Sequence, residues 1–193
     1  MKKLLFAISS LENSGGSERS LIYRVNYLVK NFDYHITIIT TDERAVSSFY
    51  EIDSKIQLVN IPIQLSKPSV FRIIKSLFYN SYNYELKIKE YILVNKFDIC
   101  TSFASVNFLY KSDKNDLFIK IKESRFNYKR FFPDNSLNFG KLSWGILRLI
   151  NSILVLKKMD YVITLTEQDG KFWRKFHPRI CVMPNFINFK SIY

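Results

Sequence analysis

Two of the chain's five glycines stand side by side, Gly15 and Gly16, and are followed at once by Ser17, Glu18 and Arg19. An apolar run, Leu4–Ser9, precedes them; after them Leu21, Ile22, Val25, Leu28, Val29 and Phe32 recur at helical spacing. Successive glycines let a backbone approach a ligand closely and take positive φ without a Cβ clash. A helix with Ser17 as N-cap and Glu18 in its first turn would add free N–H groups and the positive end of its dipole. That combination suits a phosphate. A plain tight turn is the competing reading. "SGGSERS" spells neither the G-x-G-x-x-G of a dinucleotide site nor the G-K-[ST] ending of a P-loop, and Asp42, placed like a ribose-binding acid, is a weak match without those glycines.

Other residues able to do chemistry are few. Glu123 and Arg125, in "IKESR", read either as a surface ion pair or as contacts to a ligand in a cleft. Arg19 is either solvated or close to phosphate. Thr166 and Glu167 read as a helix start, with Thr166 as N-cap. His35 opens a strand and is structural; His177 precedes Pro178 in a surface turn, with no partner at metal-ligand spacing. No metal site and no Ser-His-Asp or Cys-His arrangement is expected. Cys100 and Cys181 each lie in an apolar run, as two buried thiols would.

The elements that must position these residues alternate along the 193-residue chain, a length suited to one domain. "YHITIITT" and "IQLVNIP" follow the first helix as strands; a long helical stretch runs from Pro68 to about Asn95. "FDICTSF", "DLFIKIKES", "DYVITLT" and "RICVMP" complete seven strands, with helices around Leu142–Lys158 and in "TEQDGKFWRKF". This order predicts an α/β fold: a doubly wound, mostly parallel, Rossmann-like sheet of about seven strands with helices on both faces. Ligands of such sheets bind beyond the carboxyl ends of the strands. That rim gathers Glu12–Arg19, Asp42–Arg44, Ser102–Asn107, Glu123–Tyr128 and Thr166–Glu167, and with them Ser105 and Asn107.

Composition limits the partners. Lysines and arginines exceed acids by 29 − 17 = 12, an excess that attracts nucleic acid, anionic membrane surfaces or phosphorylated molecules. "KIKESRFNYKRFF" interleaves basic and aromatic residues as single-strand binders do, but a strand with a solvated face followed by a loop explains it equally well and no named nucleic-acid motif accompanies it, so nucleic acid is the disfavoured partner. "MKKLLFAISSLE" imitates a signal peptide, yet its apolar run is too short and Glu12 follows soon; it reads as a first strand in a cytoplasmic protein. "LSWGILRLINSILVL", 15 residues with Arg148 and Asn151, is too short and polar to span a bilayer and reads as a buried or interfacial helix.

The chain also resembles the amino-terminal part of the family 4 retaining glycosyltransferases, which have the GT-B fold. The likeness rests on "GGSERSLIYRVNYLVKNFDYHITIITT" after an apolar strand, then "NKFDICTSFASVNFL", "IKESR", "DYVITLTEQDGKFW" and "VMPNFIN", five motifs in the family's order over nearly the whole chain. The resemblance implies an acceptor-side domain over 1–183 and the start of an interdomain linker over 184–193. The carboxyl-terminal domain that holds a UDP- or GDP-sugar through paired glutamates would lie beyond. It implies that Gly15, Gly16 and Ser17 meet the donor diphosphate, and that Glu18, Arg19, Ser105, Asn107, Glu123 and Arg125 line an acceptor cleft. The acceptor would be a lipid-linked sugar or glycan, in bacterial surface polysaccharide synthesis at the inner membrane face. No cofactor belongs to this chain alone, which would be inactive without its other half. "FASVNF" lacks the histidine that many members carry there, so no catalytic residue is assigned. A non-catalytic partner subunit and an unrelated nucleotide-binding Rossmann protein are the alternatives.

Overall fold

Leu4 through Ile8 are all buried, because the first strand lies at the centre of the sheet with apolar layers on both sides. The computed structural model describes residues 1–42, 47–62, 86–103, 116–125, 127–132 and 139–185, with the backbone alone for 139–144 and 147. The strands are β1 (Lys2–Ile8), β2 (Tyr34–Thr40), β3 (Gln57–Asn60), β4 (Ile99–Phe103), β5 (Ile119–Ser124), β6 (Tyr161–Thr164) and β7 (Ile180–Val182). The helices are α1 (Gly16–Asn31), α2 (helical over 86–95), α3 (Phe139–Leu156) and α4 (Glu167–Trp173), with a 3-10 turn at Tyr128–Phe131.

All neighbouring strands are parallel, in the order β3-β2-β1-β4-β5-β6-β7. The doubly wound α/β fold expected from the alternation of elements is therefore the fold observed. Strand order reverses beside β1, which pairs Leu5 with Thr37 on one side and with Cys100 on the other. On one face α1 packs Leu21, Ile22 and Val25 against Leu4, Phe6, Ile8, Ile36 and Ile38. On the other, Ile88 and Ile92 of α2, Val155 and Leu156 of α3 and Trp173 of α4 cover Leu5, Ala7, Ile39, Cys100 and Val162. Two aspartates ahead of strands fix the register: the Asp98 carboxylate accepts from the Lys3 N–H at 2.7 Å, and that of Asp160 from the Lys120 N–H at 2.8 Å.

Four expectations change. The N-cap of α1 is Gly15, not Ser17, and no side chain caps that end. His177 is buried rather than in a surface turn: its Nε2 meets the Met159 carbonyl at 3.0 Å and its Nδ1 accepts from the Arg179 N–H at 3.2 Å. Cys100 is buried as expected, but Cys181 lies on the short outer strand β7 and is exposed. The solvated face expected of β5 carries Ile119, 42% exposed, while Lys120 and Lys122 are buried. Most of the predicted Pro68–Asn95 helix falls outside the described residues, and 86–95 is helical.

Candidate functional site at the carboxyl ends of the strands

The loop leaving β1 is fixed before it reaches α1. The Phe49 N–H donates to the Leu11 carbonyl at 2.9 Å, the Tyr50 hydroxyl to the Ser14 carbonyl at 3.0 Å and the Ser47 hydroxyl to the Glu12 carboxylate at 2.9 Å. Gly15 follows in extended backbone, φ −66° and ψ 160°, and no described glycine has positive φ. The pair therefore supplies space rather than a left-handed turn. A Cβ on Gly15 would stand 2.3 Å from Oε2 of Glu18, whose carboxylate folds back over the first turn, where the helix dipole favours it. A Cβ on Gly16 would meet only Asn185 Nδ2, at 3.6 Å. Gly16 and Arg19 are exposed; Ser17 and Glu18 are half-buried.

Behind this helix start lies a buried ionic cluster. Glu123, at the end of β5, is completely buried. Arg24, two turns into α1, donates to its Oε1; Arg125 donates from Nε to its Oε2 at 3.0 Å and from Nη2 to the same oxygen. Arg125 also donates to Oδ1 of Asn185, just past β7. Both guanidiniums stand over the Phe103 ring, at 5.9 Å for Arg24 and 5.1 Å for Arg125, adding a cation–π contribution. The Glu123–Arg125 pair thus exists, inside the protein rather than on its surface. Two cations share one anion, so the cluster carries a net positive charge. Through Asn185 it reaches Gly16 at the start of α1.

Neighbouring groups complete the rim. Ser102 pairs with Lys122 across β4 and β5, and its buried hydroxyl has no hydrogen-bond partner among the described residues. Burial pushes the Lys122 ammonium pKa down to about 7, against the opposing pull of Glu123. Thr166 caps α4 as expected: its hydroxyl accepts from the Asp169 N–H at 3.1 Å and approaches the Asp169 carboxylate at 2.6 Å. Glu167 pairs with Arg174 on the surface at 3.2 Å. Ser105 and Asn107 lie outside the described residues. An open cleft of about 260 Å³ beside Asp160, His177 and Arg179 sits at the opposite, amino-terminal ends of β6 and β7, away from this rim.

Thus Gly15–Arg19, Glu123 and Arg125 come together at one end of the sheet, with Glu123 and Arg125 as its buried support. Sequence reading missed Arg24 and Asn185. Arg24 could have been noticed as a cation next to the apolar helix positions Leu21, Ile22 and Val25. Asn185 stands in a quoted motif but carried no role until its contact with Arg125 was visible.

No family model and no curated protein matches the sequence. Solved structures do resemble the fold. Sucrose-phosphate synthase from Thermosynechococcus elongatus superposes with a TM-score of 0.72 at 11% identity, over 100% of this chain and 50% of its own. Phytolacca americana UGT2, complexed with UDP-2fluoro-glucose and pterostilbene, gives 0.64 at 9% identity, over 99% of this chain and 54% of its own. Arabidopsis thaliana UGT89C1, complexed with UDP-L-rhamnose, gives 0.57 at 12%, over 99% and 54%. At these identities the likeness is one of fold: a Rossmann-like half of the GT-B architecture. The chain spans about half the length of each.

Proposed function

We propose that this chain is the acceptor-side half of a nucleotide-sugar-dependent glycosyltransferase. Retaining transfer, as in family 4, to a lipid-linked or glycan acceptor in bacterial surface polysaccharide synthesis is the finer form of the reading. The observation that carries it is the placement of Gly16. It is exposed at the amino terminus of α1, beyond the carboxyl end of the central strand, beside the reversal of strand order. Ligand-binding crevices form at such reversals, and helix amino termini favour phosphate there. Two fold neighbours about twice as long were solved with UDP-sugars, which supports a sugar diphosphate as the ligand.

In this reading the backbone N–H groups of Gly16 and Ser17 face the donor diphosphate, and Gly15 leaves the space that the Glu18 carboxylate occupies. Glu18 and Arg19 line the acceptor side. The Arg24–Glu123–Arg125 cluster holds α1 against the sheet, so that its first turn keeps its aim. Nucleoside and sugar are held by a second domain or separate chain, and the domain described here carries out no transfer by itself.

The test is sugar transfer from UDP- and GDP-sugars, assayed with this chain alone and with a donor half encoded in frame or adjacent to it. Transfer is expected only with both halves present. Turnover by this chain alone would overturn the half-enzyme reading. Failure of both would assign it to a non-catalytic partner role, and NAD binding in place of nucleotide sugars to unrelated chemistry.

A further inference from the structure

The segment leading into β3 is pinned in place yet leaves a phenyl ring in solvent. The Asn26 side chain of α1 donates to the Glu51 carbonyl at 2.8 Å and accepts from the Asp53 N–H at 3.0 Å. The Ser48 hydroxyl donates to the Tyr50 carbonyl at 2.7 Å, and the Phe49 N–H reaches the Leu11 carbonyl in the loop after β1. Within these ties Phe49 remains 63% exposed. Its ring meets that of Tyr50 edge to face, with centroids 5.1 Å apart, and Tyr50 in turn meets Tyr23 of α1 at 6.1 Å. Tyr50 is half-buried and Tyr23 is 38% exposed, so the three rings make a continuous aromatic shelf.

Oxygen-bearing groups border the shelf. The Glu12 carboxylate receives the Ser47 hydroxyl at 2.9 Å, and the Tyr50 hydroxyl donates at 3.0 Å to the Ser14 carbonyl, one residue before Gly15. Glu51, next to Tyr50, is exposed. The stretch 47–54 holds two acids, Glu51 and Asp53, and no base, in a chain whose net charge is +12.

These properties select a ligand class. The electron-rich face of an aromatic ring attracts the C–H groups on one side of a sugar ring. Carboxylate and hydroxyl oxygens beside it accept hydrogen bonds from the sugar's hydroxyls. Local acids repel a phosphate or a nucleic acid, which leaves an uncharged sugar. A ring already fixed before the ligand arrives also loses little freedom on binding. We propose that Phe49, with Tyr50 and Tyr23 beside it, is a stacking platform for a neutral sugar ring whose hydroxyls meet Glu12 and Ser47. That this sugar belongs to the acceptor rests on the glycosyltransferase reading, since the platform is tied to the loop that leads from β1 to Gly15. That the surface holds a sugar does not.

Saturation-transfer NMR of the full chain with the methyl glycosides of glucose, galactose and mannose and with N-acetylglucosamine tests this, glucuronate being the anionic control. Transfer is expected to the ring C–H protons of at least one neutral sugar, and less to glucuronate. Phe49→Ala, changed at an exposed position, should keep the native circular dichroism spectrum and lose about fivefold or more in affinity for that sugar. Phe49→Trp keeps a flat aromatic face; it should retain binding, and its indole fluorescence should shift as the sugar is added. No transfer to any neutral sugar would overturn the proposal. Binding that Phe49→Ala leaves unchanged would overturn the platform and leave the glycosyltransferase reading standing. Binding lost with Phe49, while the two assembled halves transfer nothing from nucleotide sugars, would keep the platform and overturn that reading instead.

Discussion

Arg24 and Arg125 meet on a single buried carboxylate, one guanidinium on each oxygen of Glu123. One comes from α1 and the other from just past β5, so the contact ties the helix behind the glycine pair to the sheet. Burying these charges is costly, and the cluster persists because each partner offsets another's desolvation.

Removing the anion should therefore cost more than removing the outer cation. Glu123→Gln leaves two guanidiniums without their counter-charge and is expected to lower stability by about 3–5 kcal/mol. The Arg24 side chain retains 20% exposure, so Arg24→Met should cost less, on the order of 1–2 kcal/mol. Urea denaturation of the three proteins measures both. A loss under about 1 kcal/mol for Glu123→Gln would show that the cluster does not hold the fold.

Gly16→Ala separates a ligand-facing glycine from an ordinary helix start. The added methyl meets only Asn185 Nδ2, at 3.6 Å, an ordinary contact, and the backbone there is already helical. Stability should stay level or rise by up to about 1 kcal/mol. If the diphosphate approaches this backbone, the same methyl should weaken nucleotide-sugar binding by the complete two-half enzyme about tenfold or more. Unchanged affinity in a titration of that enzyme would return the pair to the role of a turn.

The sheet was legible because apolar, β-rich runs alternate with helical periodicity, and two-face burial of β1 follows from Leu4–Ile8 alone. The rim was legible as a place, since parallel topology sends Gly15, Glu123 and Thr166 to one end. What side chains do there was not. Glu123 and Arg125, two residues apart, read as a surface ion pair or as cleft contacts because only the fold brings Arg24 and Asn185 to them from 99 and 60 residues away. "KIK" in β5 misled for a related reason. Alternation gives two faces but does not say which is covered, and here the lysines took the covered one. Ser17 looked like an N-cap by residue type, yet the helix begins earlier, with the Arg19 N–H already bonded to the Gly15 carbonyl at 3.0 Å.

Gly145→Ala should destabilise although alanine is the better helix former. Propensity favours the change by up to about 1 kcal/mol. Against it, the new Cβ would stand 2.2 Å from a backbone oxygen of Phe131, which cannot rotate aside. Relief requires the 3-10 turn to leave α3, at about 1–3 kcal/mol or more, so the clash wins. Thermal unfolding monitors it; an unchanged or higher midpoint would mean that the turn is not held against the helix.

Lys122 should give stability an unusual alkaline rise. Its ammonium has a pKa near 7 when folded, lowered by burial, against about 10.4 in an unfolded chain. Between those values the unfolded chain holds a proton that the folded chain has released, so stability increases with pH and is lost as pH falls through 7. Cys100 acts in the other direction. Burial, then Asp116 and Asp98, push its thiol well above the ordinary range, against the pull of Lys120. Its contribution is present below the unfolded thiol pKa of about 8.5 and is lost as pH rises beyond it. The clear window is therefore about pH 7 to 8.5, where one proton allows a gain of about 1–2 kcal/mol. Urea midpoints across that window should rise in the native protein and stay flat in Lys122→Met; an equal rise in both would place the titrating group elsewhere.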